Sequence, residues 1–182
     1  MAEDNKSDFD AFVKAQQKSA QDAAIDWNKV RDEWLVHLDA LYKKIEELLG
    51  DYVKSSQILL RYQDVQLNEE DIGTYSARRL IIKIGGKEIV LEPVGTLLIG
   101  TKGRVDVTGP AGSTRIMLVD KDAARPRVRV TVQVNPKSSS IPEPDDKPVD
   151  WVWKLVTSPP TIRYIDLTQE SLFRALLEVG GG

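Results

Sequence analysis

The apolar residues of this chain change their spacing near residue 55, from a helical repeat to a strand-like alternation. Before that point four large apolar residues recur at every seventh position: Trp27, Trp34, Leu41 and Leu48. This spacing places them on one face of a helix, with charged side chains on the other. It predicts an amphipathic helix over residues 26–50, about 36 Å long at 1.5 Å per residue. A coiled coil has the same repeat, but bulky tryptophans in a short stripe favour packing on a sheet.

Beyond residue 55, apolar and polar residues alternate in short runs, which is typical of half-buried strands. The runs that predict strands are Gln57 to Leu67, Tyr75 to Ile84, Lys87 to Leu91, Thr96 to Ile99, Arg104 to Val107, Arg115 to Val119, Arg127 to Val134, Trp151 to Val156 and Thr161 to Ile165. Gly85-Gly86 between two of these runs is a hairpin signal. Short turns with no helix between the strands predict an antiparallel meander.

A last helix is predicted near the C-terminus, where Thr168 can cap a segment with one apolar side. The apolar residues of that side are Leu172, Phe173, Leu176 and Leu177. The predicted fold class is therefore α+β. A long N-terminal amphipathic helix packs on a mostly antiparallel β-meander of about 7–9 strands, with a short C-terminal helix.

The length of 182 residues suits one domain, and we assign residues 25–182 to it. Residues 1–24 are predicted to form a weakly amphipathic N-terminal extension. Ser7 and Asp10 have the spacing of a capping box, and the large apolar residues of the extension are Phe9, Phe12 and Val13. Residues 135–150 are rich in proline, serine and acidic side chains, which predicts a loop.

Two residue types limit the chemistry open to this chain. It has no cysteine, which excludes disulfides, thiolate catalysis and thiolate metal sites. His37 is its single histidine, so a catalytic triad or a two-histidine metal site cannot be built within one chain. The acidic N-terminus does not resemble a signal peptide, and no apolar run is long enough to span a bilayer. We therefore expect a cytoplasmic protein with no membrane contact and no cofactor.

Charge is unevenly distributed along the chain, and the net charge of −3 hides the difference. Residues 1–72 hold 9 basic and 16 acidic side chains, a net charge of −7, whereas residues 73–134 hold 11 and 5, a net charge of +6. In the alternating run 127–134 the valines face the core, so the arginines share the opposite face. The candidate residues of a basic binding face are Arg127, Arg129, Arg104, Lys102 and Arg115. In the alternative interpretation, the acidic and basic parts face each other within the fold.

Two patterns come close to a ligand-binding or catalytic motif and fail. The run from Gly95 to Lys102 has Thr and Lys in the reverse of the P-loop order, and it leads into a strand instead of a helix. Asp106 with Glu92 or Asp120 would supply the ligands of a metal-dependent hydrolase. Lys121 follows Asp120 directly, however, so the two side chains would point to opposite sides of a strand. We therefore predict no catalytic residue and no metal site.

These observations favour a non-catalytic protein-binding module over an enzyme. One version is an immunity- or antitoxin-like inhibitor, which acts by electrostatic and steric docking on a protein partner. The alternative is a nucleic-acid-binding protein that uses the basic sheet face, although Tyr75 is the one aromatic residue between residues 73 and 134. A metal-dependent hydrolase with Asp106 as a ligand is a third hypothesis.

Overall fold

A computed structural model describes residues 26–96, 101–123, 150–157 and 162–182. The helices of these residues are α1 (Trp27–Leu48), α2 (Gly50–Lys54) and α3 (Gln169–Gly180). The strands are β1 (Ile58–Glu69), β2 (Gly73–Ile84), β3 (Lys87–Gly95), β4 (Gly103–Gly109), β5 (Gly112–Asp120), β6 (Trp151–Val156) and β7 (Tyr164–Asp166).

The seven strands form one sheet in which each strand lies beside its neighbour in the chain, in the order β1 to β7. Every adjacent pair is antiparallel. This confirms the predicted α+β fold, with a long helix against an antiparallel meander and a short C-terminal helix. Gly85-Gly86 forms the turn between β2 and β3, where Gly85 has a φ of +58°. The long helix begins at residue 27, so it lies inside the chain and not at its N-terminus.

Some sequence predictions fall at the limits of the described residues. Thr96, predicted to begin a strand, lies in a bend after β3. The predicted strand over residues 127–134 lies outside the described residues, as do the extension over residues 1–24 and residues 135–149 of the predicted loop. The strand predicted at Trp151–Val156 has the observed bounds of β6.

Helix α1 packs its apolar stripe against one face of the sheet, here called the inner face. The side chain of Asp26 caps the helix by accepting a backbone N–H of the first turn. The buried residues of the stripe are Trp34, Leu38, Leu41, Tyr42 and Ile45. The Trp34 ring lies against the backbone of Gly103 in β4, and 5.8 Å from the ring of Trp153 in β6. The indole N–H of Trp153 donates to the carbonyl of His37 at 2.9 Å, which joins α1 to β6.

The inner face holds the apolar core, because buried residues of neighbouring strands form continuous rows across it. One row contains Leu80, Leu91 and Val107, and the next contains Val105, Ile116 and Leu155. Helix α3 contacts β3, β4 and β5 through buried residues that include Leu172 and Val179. Lys87 donates to two carbonyls at the end of α3, those of Gly180 and Gly181, where a cation complements the helix dipole.

The β1–β2 hairpin changes the side that it buries along its length. Near its base Leu80 and Ile82 are buried, whereas toward its tip the buried residues have the opposite parity, as at Tyr75. Pairing is continuous through this change, so the twist of the two-stranded ribbon rotates the side chains and no inserted residue is needed. The hairpin thereby contacts α1, since the Tyr42 hydroxyl donates to the Arg78 carbonyl at 2.7 Å.

Candidate functional site

The sheet face opposite the helices, here called the outer face, carries a row of polar and charged side chains. Arg79 on β2 donates to Gln63 on β1 and to Glu92 on β3, with 3.0 Å between Arg79 Nη1 and Glu92 Oε2. Glu92 is in register with Asp106 on β4, and Asp106 is in register with Arg115 on β5. The row therefore crosses five strands. Opposite charges stabilise it between β2 and β3 and between β4 and β5, whereas Glu92 and Asp106 place two carboxylates opposite each other between β3 and β4.

The residues of the predicted basic face lie in different environments. Arg127 and Arg129 are outside the described residues. Arg104 donates to both carboxylate oxygens of Asp106 at 2.7 Å, and these hydrogen bonds raise the pKa of Arg104. Arg115 is exposed and has no ion-pair partner among the described residues. Its guanidinium is therefore free to meet a ligand or another protein.

Lys102 contacts helix α1 and does not join the row on the outer face. Its ammonium lies 2.8 Å from Glu33 Oε2 and 5.3 Å from the centre of the Trp151 ring. The hydrogen bond from Lys102 lowers the pKa of Glu33. A second pair joins Arg78 to Asp39 at 2.8 Å. At these two positions the acidic and basic parts of the chain meet within the fold, and each partly exposed pair contributes about 1 kcal/mol or less.

The candidate metal ligands are already engaged by neighbouring groups. Asp106 forms an ion pair with the guanidinium of Arg104, and Glu92 forms one with that of Arg79. Asp120 accepts a backbone N–H within the turn after β5. No group of three His, Cys, Asp or Glu side chains in the described parts of the chain is arranged to hold a metal ion.

A buried carboxylate joins the tip of the β1–β2 hairpin to the end of β3. Glu69 accepts hydrogen bonds from the Tyr75 hydroxyl and from the backbone N–H and hydroxyl of Thr96, the last two at 2.8 and 2.9 Å. Burial and the bond to Glu69 raise the pKa of Tyr75. Gly95 has a φ of +132°, and a Cβ there would lie 2.7 Å from the carboxyl carbon of Glu69. The position therefore requires glycine, and the cluster supports the fold.

His37 is half-buried on α1. Burial, and to a smaller extent the charge of Lys102, lower the pKa of His37. The backbone carbonyl of His37 accepts a hydrogen bond from the Trp153 indole. The residue therefore helps to pack α1 on β6.

An apolar groove opens to solvent where α2 meets α3 and the base of the β1–β2 hairpin. It has a volume of about 450 Å³. The residues that line it are Leu49, Tyr52, Gln57, Ile58, Ile84, Phe173, Leu176 and Leu177. Three of its apolar residues are exposed, Leu177 at 58%, Tyr52 at 41% and Ile84 at 37%. The rings of Tyr52 and Phe173 meet edge to face with their centres 5.6 Å apart.

The sequence does not predict the apolar groove, because its walls come from four separate segments. Tyr52 lies just beyond Gly50, where the sequence predicts the end of the long helix. Leu177 belongs to the predicted apolar side of the last helix. One signal was present in the sequence. With Leu177 included, the apolar side of the last helix is wider than the part of it that the sheet covers. Locating the groove required the packing of α3 beside α2.

No helix of the described residues is long and apolar enough to cross a membrane. No family model, no curated protein and no solved structure matches this chain. The outer face and the apolar groove are the features described above that bear on its function.

Proposed function

We propose that this protein is a non-catalytic protein-binding module whose apolar groove receives an amphipathic helix of its partner. The observation that carries the proposal is the exposure of Tyr52, Ile84 and Leu177 around one concave surface of about 450 Å³. Single exposed apolar residues are ordinary on protein surfaces. A contiguous, concave group of them is typical of an interaction site.

The lining of the groove suits a helix better than an extended segment. Gln57 is the one polar residue among the eight that line it, so an extended backbone would find few hydrogen-bond partners there. A helix satisfies its own backbone hydrogen bonds and presents apolar side chains at positions i, i+3 and i+4. Tyr52 and Phe173 supply the aromatic surface that often dominates binding energy at an interface.

The outer face would add electrostatic attraction to this contact. The charged residues that β1 to β5 place on it are five cations, Arg61, Arg79, Lys83, Arg104 and Arg115, and three carboxylates, Glu88, Glu92 and Asp106. A modest positive excess speeds association with an acidic partner. An immunity- or antitoxin-like inhibitor, which blocks its partner by docking, is the form of this function that we favour.

Nucleic-acid binding is less well supported, because carboxylates engage three of these five cations. The pairs are Arg61 with Glu88, Arg79 with Glu92, and Arg104 with Asp106. A protein that binds phosphates needs cations free to displace counterions.

A photo-crosslinking amino acid placed at Leu177 of the full chain tests the proposed function in the source cells. The matched control is the same amino acid at Leu59, which is 62% exposed but does not line the groove. We expect one protein to be crosslinked at position 177 and not at position 59, through a segment with apolar residues at helical spacing. With that protein purified, Leu177→Asp should weaken binding by at least about tenfold, since it places a charge in an apolar contact.

Leu59→Asp should change the affinity by less than about twofold, because it adds one charge to the outer face and none to the groove. Equal crosslinking at the two positions, or crosslinking through a segment without helical apolar spacing, would contradict the proposal. So would the absence of any product at position 177.

A further inference from the structure

We infer that the helix received by the apolar groove is the segment around Phe9, Phe12 and Val13 of a second copy of this chain. The inference rests on the proposed protein-binding function and names a second copy of the chain, in place of an inhibited protein, as the partner of the same site. It joins the apolar groove to apolar residues that lie outside the described part of the chain. The protein would then self-associate through its N-terminal segment.

The spacing of the apolar residues in this segment matches the needs of the groove. Phe9, Phe12 and Val13 stand at positions i, i+3 and i+4, the anchor pattern of helices that bind in grooves. Ser7 and Asp10 can cap the start of such a helix. The next thirteen residues after Val13 contain a single large apolar residue, Ile25. The anchors therefore form a short and isolated apolar patch.

The length of the connecting chain argues for a second copy and against the chain's own groove. The groove begins at Leu49, 23 residues after Asp26, which along α1 is about 35 Å. The connecting residues 14–25 number twelve and would span about 18 Å as a helix and about 41 Å fully extended. They include four alanines and three glutamines, which favour the helix. Docking within one chain would thus need nearly complete extension of a helix-forming segment.

Acidic side chains beside the segment can pair with basic side chains beside the groove. Asp8 and Asp10 flank Phe9. Beside the groove, Lys54 follows Tyr52 by two residues, and Lys87, which also donates to the carbonyls at the end of α3, is in register with Ile84. Both lysines are exposed. Carboxylates on a docked helix would face these cations, which favours the contact at low salt.

The test is the mass in solution of the full chain and of two single variants, measured by light scattering over a range of concentrations. Phe12→Asp removes an anchor and leaves the groove intact, whereas Leu177→Asp damages the groove and leaves the segment intact. Gln16→Asp and Leu59→Asp are the matched controls. We expect the natural chain and both controls to approach two chain masses as concentration rises. Each of the two variants should remain at one chain mass, with a dissociation constant raised at least about tenfold.

Mixing the two variants separates this contact from any other dimer. The segment of the Leu177→Asp chain can still dock in the groove of the Phe12→Asp chain, so an equimolar mixture should recover mixed dimers. A natural chain that stays at one chain mass at about 100 μM, or a mixture that fails to form dimers, overturns the inference. The photo-crosslinker at position 177 distinguishes a failure of this inference from a failure of the proposed function. A link to residues 7–16 of a second copy supports the inference. A link within one chain overturns it, and a link to a different protein overturns it while the proposed function stands.

Discussion

Replacing Gly103 with alanine would place a methyl group against the buried Trp34 side chain. A Cβ at position 103 would lie 2.1 Å from Cζ3 and 2.5 Å from Cε3 of the indole, well inside van der Waals contact. The ring has little room to retreat, because Trp34 is 1% exposed and the centre of the Trp153 ring lies 5.8 Å away. Either α1 moves away from β4 or the indole leaves its rotamer.

Overpacking of a core by one carbon typically costs about 1–3 kcal/mol. The two short distances and the rigidity of the ring place Gly103→Ala at the upper end of this range, at about 3 kcal/mol. In a chain of this size each kcal/mol lowers the melting temperature by about 2–4 °C. The expected decrease is therefore about 6–12 °C.

Urea unfolding followed by tryptophan fluorescence measures this change, and Gly112→Ala is the control. Gly112 lies in the neighbouring strand β5 and has no atom within 4 Å of the added Cβ, so its substitution should change stability by less than about 0.5 kcal/mol. The double variant Gly103→Ala/Trp34→Leu should cost less than the sum of the two single changes by about 1 kcal/mol or more. Equal effects of the two glycine substitutions, or additive effects in the double variant, would refute the reasoning.

Three further predictions concern separate contacts. Tyr75→Phe removes a hydrogen bond to the buried Glu69 carboxylate and should lower the free energy of unfolding by about 1–3 kcal/mol in urea titrations; an unchanged midpoint would show that the cluster does not support the fold. Because the pKa of His37 is lowered in the folded state, its stabilising contribution is present above its unfolded pKa of about 6.5 and is lost as the pH falls through the lower folded value. Between pH 7.5 and 5, the free energy of unfolding should therefore decline less steeply for His37→Gln than for the natural protein. Parallel curves of this free energy against pH would contradict the prediction. Thr168→Ala removes the N-cap of α3, whose side chain accepts the Ser171 N–H at 3.2 Å, and should cost about 1 kcal/mol, whereas Thr168→Ser should cost little by calorimetry.

The sequence predicts the secondary structure of the described residues well, because local patterns determine it. The seven-residue spacing of large apolar residues locates α1, and Gly85-Gly86 locates the β2–β3 turn. Thr168 marks the start of α3 by its capping chemistry. Each of these signals lies within a few residues of the feature it predicts.

The functional surfaces depend on tertiary placement, and local patterns do not encode that. Parity alone would place Lys102 on the outer face beside Arg104, but its long side chain reaches Glu33 on α1. Likewise, no pattern in the hairpin shows where the ribbon twists enough to bury Tyr75 in place of its neighbours. Residues 52 and 177 border one groove although 125 positions separate them.

The order of strands in the sheet has a consequence for the kinetics of folding. Because each described strand pairs with the next strand in the chain, the sheet can assemble by successive hairpins. Most of the connections are short, and the longest, between β5 and β6, spans residues 121–150. The longest-range links belong to the helices, such as the bond from Trp153 to His37 across 116 residues and that from Lys87 to Gly180 across 93. If the helices dock after the hairpins form, substitutions in the hairpins will slow folding, and substitutions between helix and sheet will mainly speed unfolding. The lifetime of the folded state would then depend on the strength of the contacts that α1 and α3 make with the assembled sheet.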